Sequence, residues 1–150
     1  MTIPLDPFMA TTLDPVEKIF AVYNQNRVDR GLTAINPAEF ELQPPQVFSG
    51  PQSTKNTRLK AIPKLATSSF GTINLFYDRE NLATALTPPK IVKGSATTVH
   101  GALAAINDEL GVTMQPGDFV NGPLGATNFV LTATATNLVF TGNVTFTYYP

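Results

Sequence analysis

The chain has 150 residues, of which 14% are charged, and its formal net charge is −1. Such a surface has no electrostatic attraction for nucleic acid or anionic lipid, and its weak self-repulsion favours packing against other protein. The sequence contains no cysteine, which excludes disulfide bonds, thiolate catalysis and thiolate metal sites.

Residues 1–13 contain prolines but no helical or strand periodicity, so we predict an N-terminal arm. Its apolar residues are Ile3, Leu5, Phe8 and Met9. In an isolated subunit each would forgo about 1.5–3 kcal/mol of burial free energy. We therefore expect an arm that is disordered in the free protein and ordered against a neighbouring subunit, with these four side chains as interface residues. The arm lacks the features of a signal peptide, and no window is long and apolar enough to span a membrane, so we expect neither export nor membrane insertion.

Residues 14–82 are predicted to form a first unit of helix and strands. Asp14 is a suitable helix N-cap, and the helix is predicted to end before Gly31. Apolar residues follow the cap at helical spacing: Val16, Ile19, Phe20 and Tyr23. Apolar and polar residues then alternate over 57–62 and 72–77, which predicts two strands.

Residues 83–150 are predicted to form a second unit. Its helix is predicted within Ser95 to Gly111, with Thr97 or Thr98 as the candidate cap, and three short strands follow within 129–148. The predicted core residues are Val99, Leu103, Ile106, Leu131, Val144 and Phe146. Threonine and asparagine occupy the other face of these strands, and an uncharged face of this kind is suited to packing against another subunit.

The two units have similar predicted elements, which indicates a tandem repeat. Seven identical residues recur 72 positions apart: Gln43, Pro44, Gly50, Pro51, Asn56, Leu59 and Ala61 match Gln115, Pro116, Gly122, Pro123, Asn128, Leu131 and Ala133. We expect an α+β fold of two similar units, each with one helix and a small antiparallel β-sheet. A single unit of this size has a marginal core, so pairing of the units or assembly should add stability.

No group of side chains predicts a catalytic, cofactor or metal site. His100 is the single histidine and lies off the apolar stripe of its helix, so we interpret it as solvated and not as a ligand. Asp108 and Glu109 are adjacent on a helix and point in different directions, so they cannot act as a paired acid and base. Glycine-rich phosphate loops and nucleophilic serine motifs are absent. We therefore expect a protein that is not an enzyme, with no cofactor and no small-molecule substrate.

The densest charge cluster is Asp78–Glu80. It has two interpretations: a recognition site for a partner, or a charge run at the end of a strand that keeps the sheet edge soluble. The second is favoured because exposed charges commonly protect strand edges.

Two parts of the chain resemble a module that recurs in virion structural proteins of large tailed bacteriophages, the jumbo phages. In the second unit the resemblance lies in 102–112, 117–120, 129–133 and 140–146, where the module has a helix ending in "AIN…YG" before an "LTA…YTGSVTV" strand pair. Residues 56–61 and 75–82 resemble the other half of the module, whose strand ends in "YNRxDL".

This resemblance implies a virion structural protein, usually associated with the tail, that assembles in the host bacterial cytoplasm. Its implied partners are copies of itself and other virion structural proteins, with no role for nucleic acid or membrane. A different hypothesis is a carbohydrate- or receptor-binding module. Exposed aromatic residues are typical of glycan sites, and Tyr148 and Tyr149 offer them. Tyr149 is the fifth candidate interface residue.

Overall fold

The computed structural model describes residues 15–65 and 71–150, which form two compact units, 15–79 and 80–150. The sequence placed the division after Leu82. The structure places it earlier because Leu82 is fully buried in the core of the second unit. The predicted arm, residues 1–13, lies outside the described residues.

The first unit begins with helix α1, Pro15–Asp29. Ile19 and Phe20 are buried, as their spacing predicts. The helix ends before Gly31, where φ is +73°, a backbone conformation that glycine adopts without steric cost.

The sheet of the first unit has β3 at its centre and is antiparallel throughout, as predicted. Its strands are β1 (Phe40–Leu42), β2 (Gln46–Val47), β3 (Thr57–Pro63) and β4 (Ile73–Tyr77). β1 and β2 pair with successive parts of one edge of β3, and β4 pairs with the other edge. Leu59 and Ala61 of β3 face the core together with Leu75 and Tyr77 of β4.

The second unit contains one long helix and one short helix, whereas the sequence predicted a single helix. Its elements are β5 (Glu80–Asn81), α2 (Leu82–Ala85), β6 (Lys90–Ile91), α3 (Val99–Leu110), β7 (Asn128–Thr132), β8 (Phe140–Thr141) and β9 (Asn143–Tyr148). Thr98 caps α3 by accepting a hydrogen bond from the Gly101 N–H at 3.1 Å. Gly111 ends the helix with φ +65°, which confirms the predicted end, whereas the helix begins at Val99 and not at Ser95.

The sheet of the second unit is mixed, so the prediction of a purely antiparallel sheet is wrong here. β9 pairs antiparallel with β7 but parallel with β6, and β5 pairs parallel with β8 in a separate two-stranded sheet. Parallel neighbours require a long crossover connection. The chain between β6 and β9 supplies one because it contains α3 and β7.

The core of the second unit confirms all six residues predicted from sequence, each of which is at most 6% exposed. The rings of Phe129 and Phe146 stack, with centroids 5.4 Å apart. Because both units combine helices with β-sheets, the α+β class predicted from the sequence is correct.

Candidate functional site

An asparagine of α1 holds the segment that leads into the sheet of the first unit. The Asn24 side chain accepts a hydrogen bond from the Ile35 N–H and donates one to the Ile35 carbonyl, both at 2.8 Å. A 3-10 turn, Pro37–Glu39, follows directly. It delivers Phe40 into the core, where its ring centroid lies 6.3 Å from that of Phe20.

The second unit has the same kind of contact between helix and loop. Asn107 of α3 accepts from the Met114 N–H at 2.9 Å and donates to the Met114 carbonyl at 3.1 Å. A 3-10 turn, Pro116–Asp118, follows and leads to buried Phe119. Sequence reasoning missed both asparagines. The signal available in the sequence was their position, since each asparagine directly follows a residue of the apolar stripe of its helix.

The positions of the prolines that start the two 3-10 turns correct one residue match of the predicted repeat. Pro116 was paired with Pro44, but the proline that starts a 3-10 turn in the first unit is Pro37. Proline suits the first position of a helical turn because the N–H there has no partner inside the turn. Pro44 lies instead between β1 and β2.

The charge cluster at the end of β4 is organised by hydrogen bonds. The Lys55 Nζ lies 2.7 Å from Asp78 Oδ2, and the Asn56 N–H donates to Asp78 Oδ1 at 2.9 Å. Desolvation opposes ionisation of Asp78, but the hydrogen bonds from Lys55 and Asn56 and the charge of Lys55 outweigh it and lower the pKa of the carboxyl group.

Arg79 departs from the predicted solvated charge run because it is only 8% exposed. Its Nε donates to Thr57 Oγ1 at 3.1 Å, and the Asn56 side chain bonds both its N–H and its carbonyl. Burial lowers the pKa of the guanidinium, which nearby Tyr77 partly offsets. The cluster therefore joins β4 to the start of β3 and is not merely a soluble edge.

Tyr77 contributes the one buried side-chain oxygen or nitrogen without a hydrogen-bond partner in the described part of the chain. Burial raises the pKa of its phenol well above the ordinary value, and the positive charge of Arg79 opposes this only in part. The hydroxyl is therefore neutral and has no exposed face through which to act on a substrate.

His100 is half-buried and bonded, so the prediction that it is simply solvated is wrong. Its Nε2 lies 2.7 Å from the Phe119 carbonyl oxygen, which can only accept, so Nε2 carries the proton. The backbone N–H of His100 donates to the Asn121 side chain at 3.1 Å. These contacts tie the start of α3 to the segment after the 3-10 turn.

Residues 15–65 and 71–150 contain no group of three or more acidic, histidine or cysteine side chains placed to hold a metal ion. Asp108 and Glu109 are both exposed. Among the same residues, no helix has the length and apolar character to cross a membrane.

The outer face of the β7–β9 ladder carries no charged side chain. It comprises Asn128, Val130, Thr132, Asn143, Thr145 and Thr147, and we call it the uncharged face. Val130 lies at the centre of this face and is 48% exposed. Lys90 of β6 adjoins the face at one end, opposite Thr147. By contrast, the outer face of β3 in the first unit carries Arg58 and Lys60.

A groove of about 290 Å³ lies in the second unit between the loop after β6, the small residues of α3, and Tyr148. The Lys93 Nζ is 5.4 Å from the centre of the Tyr148 ring. Tyr149 is 39% exposed, with the Lys90 Nζ 5.9 Å from its ring centre. Desolvation and the neighbouring Glu109 carboxylate raise the pKa of the Tyr149 phenol.

Comparison with known families gives a match over residues 21–150 to a family of unknown function, DUF7941. The chain belongs to this family. No curated protein and no solved structure has significant similarity to it.

The DUF7941 match includes both asparagine contacts, the charge cluster, the uncharged face and Tyr149. It begins after the predicted arm, so four of the five candidate interface residues lie outside both the match and the described residues: Ile3, Leu5, Phe8 and Met9.

Proposed function

We propose that this DUF7941 protein is a non-enzymatic structural subunit of a tailed bacteriophage particle, associated with the tail. It acts through self-association and docking to other virion proteins, after assembly in the host bacterial cytoplasm. The observation that carries the proposal is the uncharged face of the second unit.

A sheet face exposed only to water commonly carries charged residues, and Lys60 of β3 follows that pattern. The uncharged face instead offers threonine and asparagine around an exposed Val130. Burying these six side chains desolvates no charge, since the charged neighbour Lys90 adjoins them at the Thr147 end, and their hydroxyl and amide groups can bond across an interface. It therefore suits a permanent contact between proteins.

The side chains best suited to acid–base or charge-based catalysis are already bonded within the fold, which supports a non-enzymatic role. His100 bonds a backbone carbonyl, Asp78 pairs with Lys55, and Arg79 bonds Thr57. Each of these contacts joins two segments of the fold.

The proposal includes a tandem repeat of the two units. Its support is the order of parts that each unit contains: a helix asparagine bonded to a loop backbone, a proline-led 3-10 turn, a buried phenylalanine, and a two-stranded antiparallel ladder. A repeat without chemistry is typical of proteins that provide surfaces for assembly.

The first test is the composition of particles. Mass spectrometry of purified virions should detect the protein in many copies, and cryo-electron microscopy should locate it in the tail. Its absence from purified particles would refute the proposal.

The second test introduces charge into the uncharged face. Val130→Glu should abolish or strongly weaken self-association measured by size-exclusion chromatography with light scattering, because the buried carboxylate would lack a partner. Lys60→Glu is the control, since Lys60 is an exposed residue next to the centre of the ladder in the first unit, and it should leave association unchanged. Equal effects of the two substitutions would show that the uncharged face is not the contact.

The alternative, a carbohydrate- or receptor-binding module, is favoured by the groove beside Tyr148 and the exposed ring of Tyr149. A glycan array tests it directly. Specific binding that Tyr149→Ala abolishes would support this alternative over an assembly role for that surface.

A further inference from the structure

A cleft of about 240 Å³ lies in the first unit between α1 and β4. Tyr23, Arg27 and Arg30 line it from the helix side, and Asn74, Leu75 and Phe76 line it from the strand side. An apolar cavity of about 150 Å³ accommodates a benzene ring. The cleft is therefore large enough for a bulky apolar side chain.

The direction of backbone groups in β3 identifies which edge of β4 is open. The Lys60 carbonyl accepts from Gln43 N–H at 2.9 Å, and the Asn56 carbonyl accepts from Phe48 N–H at 2.8 Å. Both acceptors thus face β1 and β2. The backbone N–H and C=O groups of successive residues point to opposite edges of a strand. Those of Arg58 therefore point towards β2, as do those of Asn56 and Lys60, and not towards β4.

Phe76 and Asn74 lie opposite Arg58 and Lys60, and so form the pairs of this ladder that do not exchange hydrogen bonds. Their backbone N–H and C=O groups consequently point away from β3. Within 15–65 and 71–150, no strand pairs with this outer edge of β4. An open edge of this kind is a template for another strand.

In the second unit the segment that precedes α3 covers the outer edge of β9 at the C-terminal end of the strand. The Thr147 N–H donates to the Pro89 carbonyl and the Tyr149 N–H to the Ile91 carbonyl, both at 3.0 Å. Leu86 and Ile91 of this segment are at most 2% exposed. The segment thus supplies both a parallel strand and apolar side chains between α3 and β9.

The N-terminal arm has the spacing of that covering segment. Ile91 lies eight residues before Val99, at the start of α3, and Phe8 lies eight residues before Val16, in the first turn of α1. Asp6 is the only charged side chain in residues 1–13. Its charge is complementary to that of the arginines that line the cleft.

We propose that the N-terminal arm of a second copy of this protein docks on the first unit as a parallel strand along the outer edge of β4, with apolar arm side chains in the cleft beside α1. The occupant is the arm of a neighbouring copy because the proposed function is that of a subunit present in many copies, and the inference rests on that function. Each docked arm then links two subunits.

Engineered cysteines test this arrangement, since the chain has no cysteine of its own. Phe76 has its backbone N–H and C=O on the open edge of β4, and Pro7 directly precedes Phe8, the arm residue with the spacing of Ile91, so these two positions are chosen to test the contact. Pro7→Cys and Phe76→Cys chains, one carrying a mass tag, are mixed and oxidised. Neighbouring strands place Cα atoms within the range that a disulfide spans, so a disulfide between the two different chains is expected.

The matched control replaces Phe76→Cys by Lys60→Cys, an exposed position on the outer face of the same sheet. The yield with Phe76→Cys should exceed that with Lys60→Cys by about tenfold or more, because docking raises the effective concentration of the two thiols. Equal yields would overturn the proposed site. A chain carrying both Pro7→Cys and Phe76→Cys that closes only within itself would overturn the exchange between copies.

Amide hydrogen exchange provides a second measurement, because Phe76→Cys removes a ring that lies 4.8 Å from that of Phe48 and can disturb the fold. In the unaltered protein at high concentration the Phe76 amide should be protected, and deletion of residues 1–9 should remove that protection. Unchanged exchange would refute docking. If the protein is present in virions but its Phe76 amide is unprotected, the docking proposal alone is refuted. If the arm docks but the protein is absent from virions, the virion role alone is refuted.

Discussion

Asn107→Ala should destabilise the second unit more than its half-buried position indicates, because one side chain satisfies both backbone groups of Met114. Met114 is 6% exposed, so its N–H and C=O have little access to water when the asparagine is removed. The substitution therefore leaves a buried donor and a buried acceptor without partners. It also releases the loop that positions Phe119.

The size of the effect follows from these two groups. A buried polar group left without a hydrogen bond costs about 1–3 kcal/mol. Allowing for partial solvation of one of the two, the loss should be about 2–4 kcal/mol. For a chain of this length such a loss lowers Tm by about 5–15 °C. Asn107→Asp keeps the acceptor for the Met114 N–H but puts an oxygen in place of the donor to the Met114 carbonyl, so it should not restore the stability of the unaltered protein.

Urea unfolding followed by far-ultraviolet circular dichroism measures this loss, and amide exchange in β7 and β9 assigns it to the second unit. Asp108→Ala is the control because Asp108 is the exposed neighbour of Asn107. Asn24→Ala should cause a similar loss in the first unit, where the same contact involves Ile35. If Asn107→Ala costs no more than Asp108→Ala, the asparagine does not hold the loop and the reasoning is refuted.

Three further substitutions test the core, the buried phenol and the ion pair. Leu103→Ala should cost about 2–5 kcal/mol in urea titrations, because Leu103 is 2% exposed, whereas exposed Glu109→Ala should change stability by about 0.5 kcal/mol at most. Tyr77→Phe should raise the free energy of unfolding by about 1 kcal/mol because it removes a buried hydroxyl without a partner, and a lower Tm would contradict this. The folded-state pKa of Asp78 lies below its unfolded value of about 3.9, so its contribution is present above that pH and is lost as pH falls through the folded pKa. Asp78→Asn should therefore cost about 1 kcal/mol or less at neutral pH, given its exposure to solvent, and should reduce the loss of stability in acid; an unchanged acid profile would contradict the ion pair.

The sequence by itself determined the features that depend on neighbours along the chain. Thr98 and Gly111 mark the ends of α3, because a capping hydroxyl and a left-handed glycine act on the nearest turns. The alternation around Leu59 predicted β3 and its buried face, because side chains alternate across a strand. Candidate site residues were harder to predict, since Asn24 and Asn107 have no sequence motif, and their role depends on the loop that returns to each helix.

The tertiary structure decided the features that depend on distant segments. β6 has two residues, too few to show a periodicity, and it is a strand because β9 offers its edge in parallel. Pro37 and not Pro44 starts the turn of the first unit, because the Asn24 contact with Ile35 positions the backbone directly before it. Arg79 is buried because Thr57 and Asn56 reach it from another strand. A linear pattern records the spacing of residues along the chain, whereas these outcomes depend on the free energy of contacts that form only when remote segments meet.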